Sequence, residues 1–60
     1  MPVITLEASK MSREQKVKLV QEFTESTLNI LNVPKQSITV LIKENEKDNI
    51  GVAGQLLSDR

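Results

Sequence analysis

The sequence predicts an α/β (α+β) protomer: a β-α-β unit with two parallel strands, one long helix and a short C-terminal hairpin, built to be oligomeric. Three observations carry this reading. An alternating apolar stretch, Val3–Ala8, lies near the start, and a long run of helical periodicity follows from Arg13 to about Asn32. A second run, Ile38–Ile42, nearly all apolar and β-branched, comes after Pro34. Strand, long helix and strand in that order make a right-handed crossover with the strands parallel.

In the first strand Ile4, Leu6 and Ala8 share one face, and Val3, Thr5 and Glu7 the other. Ser9-Lys10-Met11 is a short connector. Ser12-Arg13-Glu14-Gln15 fits a capping box, with Ser12 accepting from the amide three residues on and Gln15 reaching back. Glu14 sits in the first turn, where the helix dipole favours negative charge. Along the helix, Val17, Val20, Phe23 with Thr24, Thr27, Leu28, Ile30 and Leu31 form the apolar stripe. Lys16, Lys18, Glu22, Glu25 and Asn29 are expected to face away, with Glu14 and Lys18 spaced for an i,i+4 ion pair. Pro34 ends the helix by disfavouring helical geometry at Val33, and Asn32 suits the left-handed closing position.

Pro34–Ser37 reads as a turn, and the second strand looks buried on both faces, as parallel strands are. The helix covers one face of the sheet. Nothing else in the chain covers the other, where Val3 and Leu41 lie, so a neighbouring copy is expected there. Lys43–Asn49 is a polar turn, and Glu44 and Glu46 read as solvated. In Ile50–Leu57, two glycines three apart among small apolar residues suggest a short hairpin or bulged ribbon. Ser58-Asp59-Arg60 is expected to be frayed.

Sixty residues make one domain, 1–60, near the lower limit for independent folding. A chain of this size hides only about 60% of the surface that its unfolded form exposes. Small scaffolds add disulfides, a metal or partner subunits. With no cysteine and no histidine, disulfides are excluded and a zinc site is not expected, so self-association remains. Eight basic and eight acidic side chains cancel, which argues against a nucleic-acid or anionic-membrane partner. Phe23 is the single aromatic, leaving nothing for bases to stack on. No run reaches the roughly 18 apolar residues of a membrane span and no signal peptide is evident, so a cytoplasmic location is expected.

Chemistry is concentrated at Met1-Pro2. Initiator methionine is usually trimmed before a small residue, and trimming leaves Pro2 with a free secondary amine on a rigid ring. A general base works best with a pKa near the operating pH. Free α-amines titrate at about 7.7–8.0, and burial in apolar surroundings lowers that value. An internal proline is an amide and has no such basicity.

Taken together, the Met1-Pro2 start, Ser12-Arg13-Glu14-Gln15-Lys16 opening the helix, Pro34 ending it, the Ser37–Glu44 strand and the Asn49-Ile50-Gly51-Val52-Ala53-Gly54 tail resemble the 4-oxalocrotonate tautomerase family over essentially the whole chain. The resemblance implies a hexamer of β-α-β protomers with Pro2 as the general base. The substrate it implies is a small, enolisable 2-oxo acid, handled without cofactor or metal. Family members often carry one arginine before the helix and another in the second strand. Their places here hold Met11 and Thr39. Lys10 can supply a point charge in place of the first, without the bidentate fork of arginine. Thr39 can offer a hydroxyl to substrate, and Ile50 stands where a tail aromatic usually walls the pocket. Loss of the arginine clamp points to a mono-acid, such as an arylpyruvate enol, or to weak activity towards diacids. Val52 occupies the place of a tail carboxylate used by relatives that hydrate haloacrylates, which argues against that branch.

The competing expectation is a non-catalytic scaffold of the same fold, kept as an oligomeric binding protein. Gly51-Val52-Ala53-Gly54 also matches the GxxG pattern of KH modules, but it lacks flanking helices and basic support. Nucleophilic triads and phosphate loops are absent.

Overall fold

The computed structural model describes residues 1–60. Strand β1 (Val3–Ala8) leads into helix α1 (Arg13–Leu31), and strand β2 (Thr39–Glu44) returns parallel to β1. The register runs from Val3 opposite Thr39 to Ala8 opposite Glu44. A two-residue hairpin follows, β3 (Gly51–Val52) against β4 (Gln55–Leu56). Single 3₁₀ turns cover Lys35–Ser37, Lys47–Asn49 and Leu57–Asp59. The fold class expected from the sequence is therefore the one observed.

Helix α1 begins where the capping box places it. Ser12 Oγ accepts from the Gln15 amide at 3.1 Å, and Gln15 Oε1 accepts from the Ser12 amide at 2.9 Å. Two of the helix's orphan donors are thereby satisfied. Ser12→Ala is expected to cost about 1 kcal/mol, the usual loss for an N-cap, read as a lower urea midpoint with unchanged slope. At the other end Asn32 adopts φ 56° and ψ 48°, and its amide donates to the Leu28 carbonyl at 2.9 Å. Ser37 closes the next turn, its hydroxyl donating to the Pro34 carbonyl at 2.8 Å.

The helix is rotated from the orientation expected. Lys16, Leu19, Phe23, Thr24, Thr27 and Leu28 are half-buried, whereas Val17, Val20, Ile30 and Leu31 are exposed. Lys16 was expected to face solvent, and Leu19 did not figure in the apolar stripe. Lys16 turns inward because its ammonium finds the Glu44 carboxylate at the end of β2, at 3.0 Å. Thr27 tolerates its half-buried place because its hydroxyl donates to the Phe23 carbonyl at 2.7 Å. The i,i+4 pair that forms is Lys18–Glu22, at 3.9 Å and well exposed, in place of Glu14–Lys18.

Strand β2 starts one residue later than the apolar run and continues through Lys43 and Glu44. The hairpin turns on Ala53 and Gly54, with φ of 55° and 79°. Positive φ at both central residues gives the twist that a two-residue hairpin needs. Ala53 adopts it at a cost of about 1–2 kcal/mol relative to a right-handed conformation. The last residues, expected to be frayed, form the final 3₁₀ turn, with the Arg60 amide donating to Leu57.

No residue of the isolated protomer is fully buried. Val3 and Leu41 lie on the sheet face away from the helix, 55% and 52% exposed. The protomer measures 44 × 23 × 13 Å, with a radius of gyration of 14.7 Å. A compact chain of this length would have a radius near 10 Å. It is a slab with one helix on one side of a two-stranded sheet, and the other side lies bare. No helix is long and apolar enough to cross a membrane.

Candidate active site

The proline ring sits at the head of β1, half-buried. Its carbonyl accepts the Thr39 amide at 3.0 Å, the first link between the two strands. Pro2 lacks an N–H, so its nitrogen takes no part in the ladder and its hydrogen bond to β2 runs through the carbonyl. Met1 is 94% exposed and nothing else in the protomer covers it. Thr39, opposite Val3, is brought next to Pro2 as one pair of site residues.

Lys10 is at the far end of the strand. The six residues of β1 separate it from Pro2 by roughly 20 Å at the usual rise of a strand. An open groove of about 480 Å³ lies there, lined by Ala8, Ser9, Lys10, Met11 and the α1 side chains Gln15, Lys18, Leu19 and Glu22. Ile50 belongs to neither group. It is half-buried just ahead of β3, with its carbonyl accepting from Leu57 at 2.8 Å. Within one copy the structure joins Pro2 with Thr39 and Lys10 with Met11, and it keeps the two pairs apart.

A residue that the sequence reading treated as solvated is the most connected polar side chain here. Glu44 Oε2 accepts the Met11 amide at 3.0 Å, and Oε1 accepts from Lys16 Nζ at 3.0 Å. These two contacts, together with the charges of Lys16 and Lys10, hold its carboxyl below the usual range for glutamate. The Met11 amide is the largest cause, and partial desolvation opposes the trend. A lowered carboxylate pKa stabilises the fold at pH values above the ordinary glutamate pKa. That contribution is lost as pH falls through the lower, folded value. Acid unfolding of the parent is therefore expected to show a component below the ordinary glutamate pKa that is missing in Glu44→Gln, read by circular dichroism across an acid titration. The strand's alternation could have located Glu44. It lies two residues beyond Ile42, on the face shared with the helix, opposite Ala8.

No group of three or more histidine, cysteine, aspartate or glutamate side chains is arranged to hold a metal ion. The site thus comprises a proline at a strand head, a lysine-bearing connector and a groove, on a small β-α-β frame. That combination defines a class of small β-α-β protein with a proline at the head of its first strand and a lysine beside an open groove at that strand's far end.

Comparison with known proteins places the chain more closely. The model of the family described as "Tautomerase enzyme" matches residues 2–60, starting at Pro2. A probable tautomerase of Halalkalibacterium halodurans is 36% identical over 61 residues, covering all of both chains. The 2-hydroxymuconate tautomerase of Bacillus subtilis is 37% identical, covering 98% of this chain and 97% of its own. The crystal structure of YwhB, a homologue of 4-oxalocrotonate tautomerase, superposes with a TM-score of 0.92 at 35% identity, covering 98% of each chain. This chain belongs to the 4-oxalocrotonate tautomerase family. It is an enzyme of the tautomerase class.

Proposed function

We propose that the chain, once Met1 has been removed, moves a proton within a small 2-oxo acid or its enol, with the Pro2 nitrogen as general base. The observation that carries this reading is the placement of Pro2. Its carbonyl is fastened to Thr39 at the head of the sheet, and its ring nitrogen stands outside the ladder. Removal of Met1 frees that nitrogen without disturbing a backbone hydrogen bond of the strand pair.

The chemistry redistributes one proton and one electron pair. The ring nitrogen takes the proton from the enol hydroxyl at C2, the C2–O bond becomes a carbonyl, and the alkene electrons move to carbon. The prolinium then returns the proton to that carbon. No electrons leave the substrate, so the reaction needs neither an oxidant nor a cofactor. Lys10 binds the substrate carboxylate as a point charge, Thr39 offers its hydroxyl beside Pro2, and Ile50 helps to keep water out. Without an arginine fork, a mono-acid such as an arylpyruvate enol fits this set better than a diacid.

The roughly 20 Å between Pro2 and Lys10 supports a site shared between copies, with the groove of one receiving the strand head of another. The bare sheet face, the lack of any fully buried residue and the extended shape all favour association, for which we propose a homohexamer. We propose a cytoplasmic enzyme with neither nucleic-acid nor membrane partners, in keeping with the cancelled charges.

The reading is tested by intact mass and covalent labelling. The cellular protein is expected to lack Met1, and 3-bromopyruvate is expected to add once, at Pro2, with loss of activity in proportion. A retained Met1, or inactivation without a Pro2 adduct, would overturn the assignment of the base.

A further inference from the structure

We infer that Glu44 is a positioning residue for substrate binding: by accepting the Met11 amide, it fixes the connector that carries Lys10. The inference rests on the reading of Lys10 as the group that meets the substrate carboxylate, and it adds a residue in β2 that controls it.

The connector Ser9-Lys10-Met11 joins the end of β1 to the cap of α1. Of its three amides, only that of Met11 has a hydrogen-bond partner, the Glu44 carboxylate at 3.0 Å. Both neighbouring segments are fixed. Ala8 accepts the Asn45 amide at 2.8 Å, and Ser12 is held in the capping box. Lys10 therefore stands on a short arch whose one internal tie is Glu44. A lysine side chain is long and flexible, so the direction in which its backbone launches it governs how much freedom is lost when it meets an anion. The second Glu44 oxygen takes Lys16 Nζ at 3.0 Å, which keeps the carboxylate turned towards the arch. That pair is half-exposed, with side-chain exposures of 38% and 32%, and screening by solvent makes it the lesser part of the device. The reach of the residue, more than its charge, is what the arrangement uses.

The test is steady-state kinetics with the enol of phenylpyruvate as the probe. Glu44→Ala is expected to raise KM about tenfold with kcat within about twofold, the loss expected when one charge-assisted tie is removed. Glu44→Gln, whose amide oxygen can still accept from Met11, recovers most of that loss. Glu44→Asp keeps the charge but withdraws it by one methylene, and it raises KM in the same sense as alanine. The aspartate variant also serves where the alanine variant fails to assemble. Lys10→Ala combined with Glu44→Ala is expected to be no worse than Lys10→Ala alone, because the tie acts only through Lys10. Additive losses, a fall in kcat at unchanged KM, or a glutamine variant as impaired as the alanine one would overturn the inference while leaving Lys10 in place. An unchanged KM in Lys10→Ala would instead remove the underlying reading of the lysine, and the inference with it.

Discussion

Pro2→Ala is expected to lower kcat by about 10²-fold or more while leaving the size of the assembly unchanged. General-base catalysis contributes about 10²–10⁴-fold, and in the proposed reaction that contribution rests on one nitrogen. Alanine at the same place retains a primary amine once Met1 is gone, so the base is weakened and loosened without being erased. The ring holds the lone pair in one direction, whereas an alanine amine rotates about its own bond. The fold is insulated from the change because Thr39 donates to the carbonyl of residue 2, and alanine has the same carbonyl. Rates measured on an enol substrate, with sedimentation of the same samples, separate the two effects. Equal rates in variant and parent would remove Pro2 from the mechanism.

The second large effect is expected from Leu41→Lys, which should dissociate the protein and abolish activity together. Leu41 lies opposite Thr5 on the sheet face that the helix leaves bare, and it is 52% exposed in the isolated copy. Covering a leucine fully stabilises by about 1.5–3 kcal/mol. About half of that is left to gain at Leu41, and in a two-fold contact the same side chain counts twice, so losing it weakens association by about 10–10²-fold. A lysine ammonium placed there adds the penalty of an unpaired charge taken out of water. Sedimentation at micromolar concentration should give a smaller species, partly or wholly unfolded. An unchanged assembly would show that this face is not the one that copies share.

Much of the architecture was legible because it is written in local chemistry. Ser12 with Gln15, Asn32 before Pro34, and the spaced glycines of the tail each satisfy backbone groups within a few residues, and each appears where expected. The bare face was legible too, because apolar Val3 and Leu41 fall on the parity that one helix cannot reach. The rotation of the helix was not. A lysine within an amphipathic run reads as solvent-facing, and Lys16 turns inward only because Glu44, 28 residues on, supplies a partner. Glu44 itself was hidden for a similar reason. Its main contact is with a backbone amide 33 residues away, and an amide leaves no mark on side-chain composition. At the candidate site, Pro2 could be singled out from amine chemistry alone, but its distance from Lys10 could not. Both flank the same strand, and only the extended geometry between them sets two ends of one copy apart.

The thinness of the slab, 13 Å in its shortest dimension, has a consequence for how such a catalyst behaves in a cell. In the proposed assembly a copy with no interior of its own draws its cohesion from its neighbours, so dilution and heat act on one and the same equilibrium. The melting point should climb with protein concentration, and specific activity should sag at low abundance. Gene dosage then enters the rate law twice, through the number of chains made and again through the fraction of them that have met.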